Sequence, residues 1–190
     1  MSKQHHFFYQ MFYNDFDMDK QEILIKNEKI SIVYMNKDMA FDVWQNSLDE
    51  DNRRFVPDEV FETLKNAEEV INFIIESYQS KEGPFIYAVI RNEDNANIGY
   101  VQLVKIDLGY EIGYHIAKRY TGQGYATETV KLFLEYLRNN TKLKEIYGVA
   151  LFANKASVRV LEKCGFEKFF EGIDFYQGKK RKIVKTVKKI

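Results

Sequence analysis

The sequence predicts a mixed α/β domain. Three β-rich runs follow one another between residues 85 and 117, and the loops between them are short and rich in Asn, Asp and Gly, which is typical of antiparallel hairpins. Two segments with apolar residues at helical spacing precede these runs, and a third follows them. A single sheet with helices packed on its faces accounts for this order of elements.

The elements before the three runs begin at residue 29. Residues 29–35 (KISIVYM) are apolar or alternate apolar with polar, which predicts a strand. Residues 66–78 (NAEEVINFIIESY) predict a helix with Asn66 as its N-cap, and the turn signal KEGP ends it. Between them, residues 36–48 change to the helical period and place five apolar residues on one face: Met39, Ala40, Val43, Trp44 and Leu48.

The elements after the three runs complete the sheet. Residues 125–140 predict a helix, and residues 154–165 predict another, capped by Asn154 and closed by Gly165. A terminal hairpin turns at GKK. The prediction is then a mostly antiparallel sheet of about seven strands, covered by about four helices. The strands are predicted at 29–35, 85–91, 98–106, 110–117 and 145–151 and in the two arms of the hairpin.

Residues 29–190 are predicted to form one domain, preceded by an extension at residues 1–28 without a clean period. Lys plus Arg equals Asp plus Glu, at 28 each, so the net charge indicates neither nucleic acid nor membrane as a partner. The single cysteine, Cys164, excludes an intrachain disulfide framework, and no spacing of Cys and His predicts a metal site. From the Cys and His spacing we therefore expect no metal. No stretch reaches transmembrane length, which together with the single cysteine predicts a cytoplasmic protein.

The stretch RYTGQGYATE (residues 119–128) places Gly122 and Gly124 between a strand and a helix. Glycine lets an anion approach the backbone, and the N–H groups at a helix start favour negative charge, so this turn suits a pyrophosphate. The glycines could also simply shape the turn. A dinucleotide fingerprint would need a third glycine where Thr127 stands, and a P-loop would need a Lys-Ser/Thr pair that does not follow.

The longer stretch GYEIGYHIAKRYTGQGYATE closely resembles the acyl-coenzyme A motif of the GNAT superfamily of N-acetyltransferases, with Arg119, Gly122 and Gly124 at its fixed positions. A second block, NKASVRVLEKCGF, resembles the family's Asn-led helix that ends in Gly-Phe. Both blocks look most like the branch of ribosomal-protein N-terminal acetyltransferases. The resemblance implies the GNAT fold, whose twisted sheet is splayed between its fourth and fifth strands.

The resemblance also implies acetyl-coenzyme A as cosubstrate and assigns residues to it. The pantetheine arm is expected to pair with the end of the fourth predicted strand and to contact Asn154, and a backbone N–H near Ile116 is expected to meet the oxyanion. The pyrophosphate is expected on the amides of the glycine loop. The implied cofactor-binding residues are His115, Ile116, Ala117, Arg119, Thr121, Gly122, Gln123, Gly124, Tyr125, Ala126 and Asn154.

Two side chains are candidates for catalysis. Glu111 lies on the fourth predicted strand and is the candidate general base, with an ordinary structural carboxylate as the alternative. Leu161 stands where many family members have a tyrosine acid, and Ser157 is the substitute found in the ribosomal-protein branch. The alternative for Ser157 is a small residue in the first turn of a helix. Tyr114 and Tyr176 could also donate a proton, but with 13 tyrosines in the chain both are expected to be core or wall residues. Cys164, just before Gly165 at a helix C-terminus, is expected to be buried and no nucleophile.

The resulting hypothesis is an N-acetyltransferase that acts on a primary amine, either a protein N-terminus, ribosomal or other, or a small molecule, by direct attack in a ternary complex. The alternative is a non-catalytic acetyl-coenzyme A-binding sensor or assembly module, which the absent tyrosine favours. The acidic residues 49–62 could attract a cationic amine, while the basic residues 179–190 suit a sheet edge better than a nucleic-acid contact. A homodimer is one form that the chain could take.

Overall fold

A computed structural model describes residues 22–80 and 83–190. Within these residues, eight strands form one sheet and five α-helices cover it. The strands are β1 (Ile23–Lys26), β2 (Ile30–Tyr34), β3 (Phe85–Arg91), β4 (Ala96–Ile106), β5 (Gly109–Ile116), β6 (Glu145–Leu151), β7 (Glu167–Tyr176) and β8 (Lys179–Lys189). The helices are α1 (Ala40–Ser47), α2 (Glu50–Phe55), α3 (Leu64–Ser77), α4 (Tyr125–Asn140) and α5 (Lys155–Lys163).

The strand order is β1-β2-β3-β4-β5-β6-β8-β7, and every neighbouring pair in the described sheet is antiparallel except β5 and β6. These two parallel strands, both fully described, are joined in register at one pair, Glu111 and Tyr147. Past that pair the strands are no longer hydrogen-bonded to each other, which leaves the β5–β6 opening. The splay expected between the fourth and fifth predicted strands is therefore confirmed.

The sheet carries helices on both faces. Side chains alternate between the two faces along each strand, so each residue can be assigned to one of them. On one face, called the α4–α5 face, the Tyr87 ring of β3 packs on Phe133 of α4 with centroids 5.7 Å apart. Tyr114 of β5 shares this face, since Tyr87 and Tyr114 both pair in register with Val101. The opposite face, called the α1–α3 face, carries α1 and α3 and includes Asn46, whose Nδ2 donates to Asn97 O at 2.9 Å.

Three features differ from the sequence prediction. β1 lies in the predicted extension and pairs with β2, so the sheet has one strand more than predicted. α2 was not predicted. α3 begins earlier than expected, since its N-cap is Thr63, whose hydroxyl accepts from the Asn66 N–H at 3.2 Å. Asn66 thus lies in the first turn, where a polar side chain also fits, and the two positions look alike in sequence.

The division of the chain at residue 28 stays a prediction, since residues 1–21 lie outside the described part of the chain. No helix among residues 22–80 and 83–190 is both long and apolar enough to cross a membrane.

Candidate functional site

The glycine loop between β5 and α4 has the backbone that the motif requires. Gly122 and Gly124 both have positive φ, +76° and +88°, and Gly124 is the N-cap of α4. Apart from the glycine itself and its two chain neighbours, no heavy atom of the described residues would lie within 4 Å of a Cβ at either position. The glycines are therefore needed for the left-handed turn and not for internal packing, and the space beside the loop is free for a ligand.

The first turn of α4 supplies amide donors to that space. The Glu128 N–H is the first to bond within the helix, to Gly124 O at 3.0 Å. The N–H groups of Tyr125, Ala126 and Thr127 precede it and have no carbonyl of their own helix to bond. This is the arrangement that binds anions.

The remaining loop side chains shape the turn itself. Arg119 Nη2 donates to Asn46 Oδ1 of α1 at 3.2 Å, and its guanidinium lies 5.0 Å from the Tyr120 ring centroid. Thr121 Oγ1 donates to Lys118 O at 2.9 Å, and Gln123 Nε2 donates to Arg119 O at 3.4 Å. What the loop offers to an anion is thus mainly its backbone.

The end of β5 turns backbone donors into the β5–β6 opening. The Ala117 N–H donates to Ile98 O of β4 at 2.9 Å. Because hydrogen bonding alternates along an antiparallel pair, His115 also bonds to β4, while the N–H groups of Tyr114 and Ile116 face away from β4, toward β6. Of His115, Ile116 and Ala117, it is Ile116 whose N–H faces the opening.

On the α4–α5 face, two hydroxyls meet beside the opening. Tyr114 OH donates to the backbone oxygen of Ser157 at 3.0 Å, and the Ser157 Oγ lies 3.0 Å from the same phenolic oxygen. Asn154 fixes Ser157 in turn, because its Oδ1 caps α5 by accepting from the Ser157 N–H at 3.1 Å. Burial holds the pKa of Tyr114 well above its ordinary value, against the opposing effect of the Ser157 hydrogen bond.

Leu161, which stands where many family members have a tyrosine, is buried in the core with 1% of its surface exposed. It offers no hydroxyl. The structure brings Tyr114 of β5 to Ser157 instead, a contact between residues that are far apart in the sequence.

On the α1–α3 face, Glu111 lies at the vertex of the opening. It pairs in register with Val104 of β4 and with Tyr147 of β6. Burial raises the pKa of its carboxyl to about 7, although the charge of Lys185 works in the opposite direction. Since side chains alternate along β5, Glu111 and the Ser157–Tyr114 pair flank the opening from opposite faces.

A second carboxyl, Glu59, was missed by the sequence analysis. It lies in the short 3₁₀ turn after α2, accepts a hydrogen bond from the Tyr100 hydroxyl, and is also hydrogen-bonded to the Gln102 side chain. Burial raises its pKa to about 7, with a smaller opposing effect from Gln102 and a reinforcing one from Asp58. A weak local signal was the pair of polar-tipped residues, Tyr100 and Gln102, on one face of β4.

Glu59 lies beside a cavity of about 230 Å³ on the α1–α3 face. The His115 side chain also lines this cavity, with its ring centroid 5.7 Å from that of Tyr100, and burial lowers its pKa to about 4. His115 is therefore neutral near pH 7. The other lining residues are Met35, Val43, Asn46, Ser47, Asn52, Asp58, Phe61, Val70, Phe73, Ile74, Ile86, Asn97, Gly99, Tyr100 and Gln102.

The end of β7 reaches the same region. Burial raises the pKa of Tyr176, and the nearby charges of Glu111 and Glu59 raise it further, so its hydroxyl stays protonated at neutral pH. Cys164 is buried, as expected, with its Sγ 3.7 Å from Thr127 O, and burial also raises its pKa.

Three known proteins share this sequence pattern or fold. The probable N-acetyltransferase YjcK of Bacillus subtilis is 36% identical over 97 residues, which cover 49% of this chain and 52% of that protein. The chain thus spans about half the length of this curated relative.

Two solved structures share the fold at low sequence identity. The microcin C7 self-immunity acetyltransferase MccE, in complex with acetyl-CoA and AMP, has a TM-score of 0.72 at 16% identity, covering 86% of this chain and 94% of its own. RimL, a ribosomal L7/L12 α-N-protein acetyltransferase in complex with coenzyme A, has a TM-score of 0.72 at 14% identity, covering 89% and 98%.

The family assignment rests on a longer match. The sequence model of the acetyltransferase (GNAT) domain matches residues 35–167, which is well over half of the chain and includes the glycine loop, β5, β6 and α5. The chain belongs to the GNAT acetyltransferase family.

Proposed function

We propose that the chain transfers an acetyl group from acetyl-CoA to a primary amine by direct attack in a ternary complex. The observation that supports this proposal best is the β5–β6 opening. Backbone N–H groups of β5 face into it, and different polar side chains lie on its two faces. Glu111 lies on the α1–α3 face, and the Ser157–Tyr114 pair lies on the α4–α5 face. An amine would approach from the first face and the cofactor from the second.

The residues present suit acetyl-CoA, whose thioester supplies an activated acetyl group. The open space beside Gly122 and Gly124, next to the first-turn amides of α4, suits its pyrophosphate. The backbone at the end of β5 that faces the opening suits the amide groups of its extended arm, and Asn154, the N-cap of α5, is the residue that the family resemblance assigns to that arm. Similar chains solved with acetyl-CoA or coenzyme A support this choice of cosubstrate.

Each polar group then has a role that its surroundings allow. A primary amine has a pKa of about 10, so near neutral pH it must lose a proton before it attacks. Glu111, with a pKa of about 7, can take that proton directly or through water. The Ile116 N–H can stabilise charge on the carbonyl oxygen, and Ser157, backed by Tyr114, can deliver a proton to the departing sulfur.

The non-catalytic alternative rests on Leu161, which replaces the common tyrosine. The contact between Tyr114 and Ser157 weakens that argument, because it supplies a hydroxyl network at the place where a proton is needed. Within the enzymatic proposal, the acceptor can be a protein N-terminus, as for RimL, or a small molecule. Cytoplasmic location and a homodimer stay predictions.

The test measures release of free coenzyme A by the purified chain with a panel of primary amines. We expect turnover with at least one amine, and a kcat that rises with pH through about 7 as Glu111 loses its proton. Glu111→Gln should lower kcat by about 10²- to 10⁴-fold and remove that rise. The matched control is Glu62→Gln, an exposed carboxylate paired with Arg53.

Two results would count against these assignments. Tight binding of acetyl-CoA without turnover of any amine would favour the sensor or assembly module. An unchanged pH profile in Glu111→Gln would remove Glu111 as the base and leave the transfer reaction itself standing.

A further inference from the structure

We propose that the cavity on the α1–α3 face binds a small primary amine with an apolar body, and that Glu59 holds its ammonium group. This names the acceptor class for the proposed acetyl transfer and rests on that function for its turnover, though not for its binding. The acceptor site would thus be selective for apolar amines over polyamines, aminosugars and peptides.

The wall and the size of the cavity suit a compact apolar group. Its surface is formed mainly by apolar side chains from α1, α3, β3 and the loops around them, among them Met35, Val43, Phe61, Val70, Ile74 and Ile86. Its volume of about 230 Å³ is below the roughly 300–1,000 Å³ of sites for drug-sized ligands. A compact alkyl or arylalkyl group fits such a space.

Several polar side chains in the wall already have partners within the protein, while Asn97 Nδ2 is buried without a hydrogen-bond partner among the described residues. Asn46 Nδ2 donates to Asn97 O at 2.9 Å, and its Oδ1 accepts from Arg119. Asn52 Nδ2 donates to Ser47 O at 3.2 Å. Ser47 Oγ donates to Trp44 O at 2.8 Å and accepts from the Phe61 N–H at 3.0 Å.

Ligands that carry several polar groups therefore suit this cavity poorly. A peptide N-terminus places an amide directly behind its amine, and a polyamine or aminosugar brings further charges or hydroxyls. Inside this cavity those groups would lose water and find few free partners, which is unfavourable. An amine with a hydrocarbon body has no such groups to satisfy.

The charge of the lining side chains favours a cation. Among the described residues that line the cavity, Asp58 and Glu59 are carboxylates and none is lysine or arginine, while His115 is neutral near pH 7. A primary amine enters as an ammonium ion, since its pKa is about 10. An ammonium in the cavity would favour the ionised form of Glu59, opposing the burial that raises its pKa.

Glu59 is linked to β5, one side of the β5–β6 opening, through Gln102. Tyr100 and Gln102 of β4 hold its carboxyl, and a carboxylate has further lone pairs for an ammonium. Gln102 lies across Gly113 of β5, where a Cβ would come within 2.5 Å of its Nε2. Glu111 is two residues before Gly113 and on the same face, so Glu59 and the proposed base share this face of the sheet.

The closing experiment measures binding by calorimetry with three probes: phenethylamine, spermidine and a short peptide with a free N-terminal phenylalanine. We expect phenethylamine to bind more tightly than either of the others. Glu59→Gln should weaken its binding about tenfold or more, because it removes a charge-assisted contact, whereas Glu62→Gln should leave it unchanged.

A second variant guards against a structural effect of Glu59→Gln on its neighbours. Val43→Phe fills the wall without touching the Glu59 hydrogen bonds, and should also weaken phenethylamine binding while leaving coenzyme A binding unchanged. The proposal is overturned if phenethylamine binds equally well to wild type and Glu59→Gln, or if spermidine or the peptide binds more tightly than phenethylamine.

A parallel measurement of coenzyme A release separates this proposal from the proposed function. Binding of phenethylamine through Glu59 without any release would support the amine site and contradict acetyl transfer. Release with spermidine or the peptide, but not with phenethylamine, would support acetyl transfer and reject the apolar amine site.

Discussion

The two faces of the β5–β6 opening are built in different ways. Beside the α4–α5 face, the glycine loop with the start of α4 and the start of α5 are continuous stretches of sequence, and they offer backbone amides together with the Ser157 hydroxyl. On the α1–α3 face, Glu59, Tyr100 and Glu111 come from three separate elements and act through their side chains. Under the proposed function, the cofactor common to the family would be recognised mainly by local backbone geometry, and the acceptor by side chains gathered from distant positions.

The two faces also differ in their titration. Glu59 and Glu111 on the α1–α3 face both have pKa values raised to about 7 by burial. On the α4–α5 face, burial raises the pKa values of Tyr114 and Cys164 above their ordinary range, so neither ionises near neutral pH. Among these four groups, the changes of charge near pH 7 therefore belong to the α1–α3 face.

The largest expected effect tests the backbone character of the cofactor side. Gly124→Val places a β-branched residue at φ +88°, which costs at least about 1–2 kcal/mol, and puts a side chain into the space left for the ligand. We expect the affinity for coenzyme A, measured by calorimetry, to fall about 100-fold.

Gly178→Val is the matched control for this strain. Gly178 also has a positive φ, +69°, and open space around its Cβ position, but it lies in the turn between β7 and β8. Its variant should keep the affinity for coenzyme A. Equal loss in both variants would mean that general destabilisation, and not the loop, sets the affinity.

A smaller effect is expected from the hydroxyl pair on the same face. Ser157→Ala and Tyr114→Phe should each lower kcat by about 10- to 100-fold, because each interrupts proton delivery to the sulfur. The double variant should lose little more than either single one, since the two hydroxyls act as a unit.

Steady-state kinetics at saturating acetyl-CoA measures these losses, with Tyr136→Phe, a buried tyrosine of α4, as control. Coenzyme A affinity should be unchanged in all of these variants. Strictly multiplicative losses from Ser157→Ala and Tyr114→Phe would show two independent roles and would contradict the shared proton path.

The fold was largely predictable because its main elements have clear local patterns. The three-strand meander, β6, α4 and α5 have clear local patterns and recognisable ends, and these elements form or flank the β5–β6 opening. β1 was missed because it has only four residues, three of them apolar. Its turn to β2 is shaped by Asn27, whose Oδ1 accepts from the Lys29 and Ile30 N–H groups. Its stability comes from the rest of the sheet.

The site was predictable only in part, for the same reason. Gly122, Gly124 and Asn154 are set by local backbone requirements, so a motif reveals them. The contact of Tyr114 with Ser157 and the environment of Glu59 depend on strand register and on the packing of the turn after α2 against β4. No spacing rule in the sequence contains that information.

The smallest expected effect concerns stability and separates the two faces by pH. For Glu59 and Glu111, the folded pKa of about 7 lies above the ordinary value of 4.5, so the folded state binds the proton more tightly than the unfolded state. Their contribution to stability is then fully present below about pH 4.5 and is lost as pH rises through about 7. We expect each carboxyl to change the free energy of unfolding by about 1–2 kcal/mol across this range.

His115 acts in the opposite direction, because its folded pKa of about 4 lies below the ordinary 6.5 and its stabilising effect is lost as pH falls between these values. The measurement is therefore a difference between variants, and not the pH profile of the wild type alone. The gap in melting temperature between Glu59→Gln and wild type should shift by about 2–4 °C per kcal/mol from pH 5 to pH 8, in favour of the variant at high pH. Ser157→Ala, on the α4–α5 face, should show a constant gap, since no titrating carboxyl is altered. A pH-dependent gap for Ser157→Ala, or a constant gap for Glu59→Gln, would contradict the assignment of the titrating groups to the α1–α3 face.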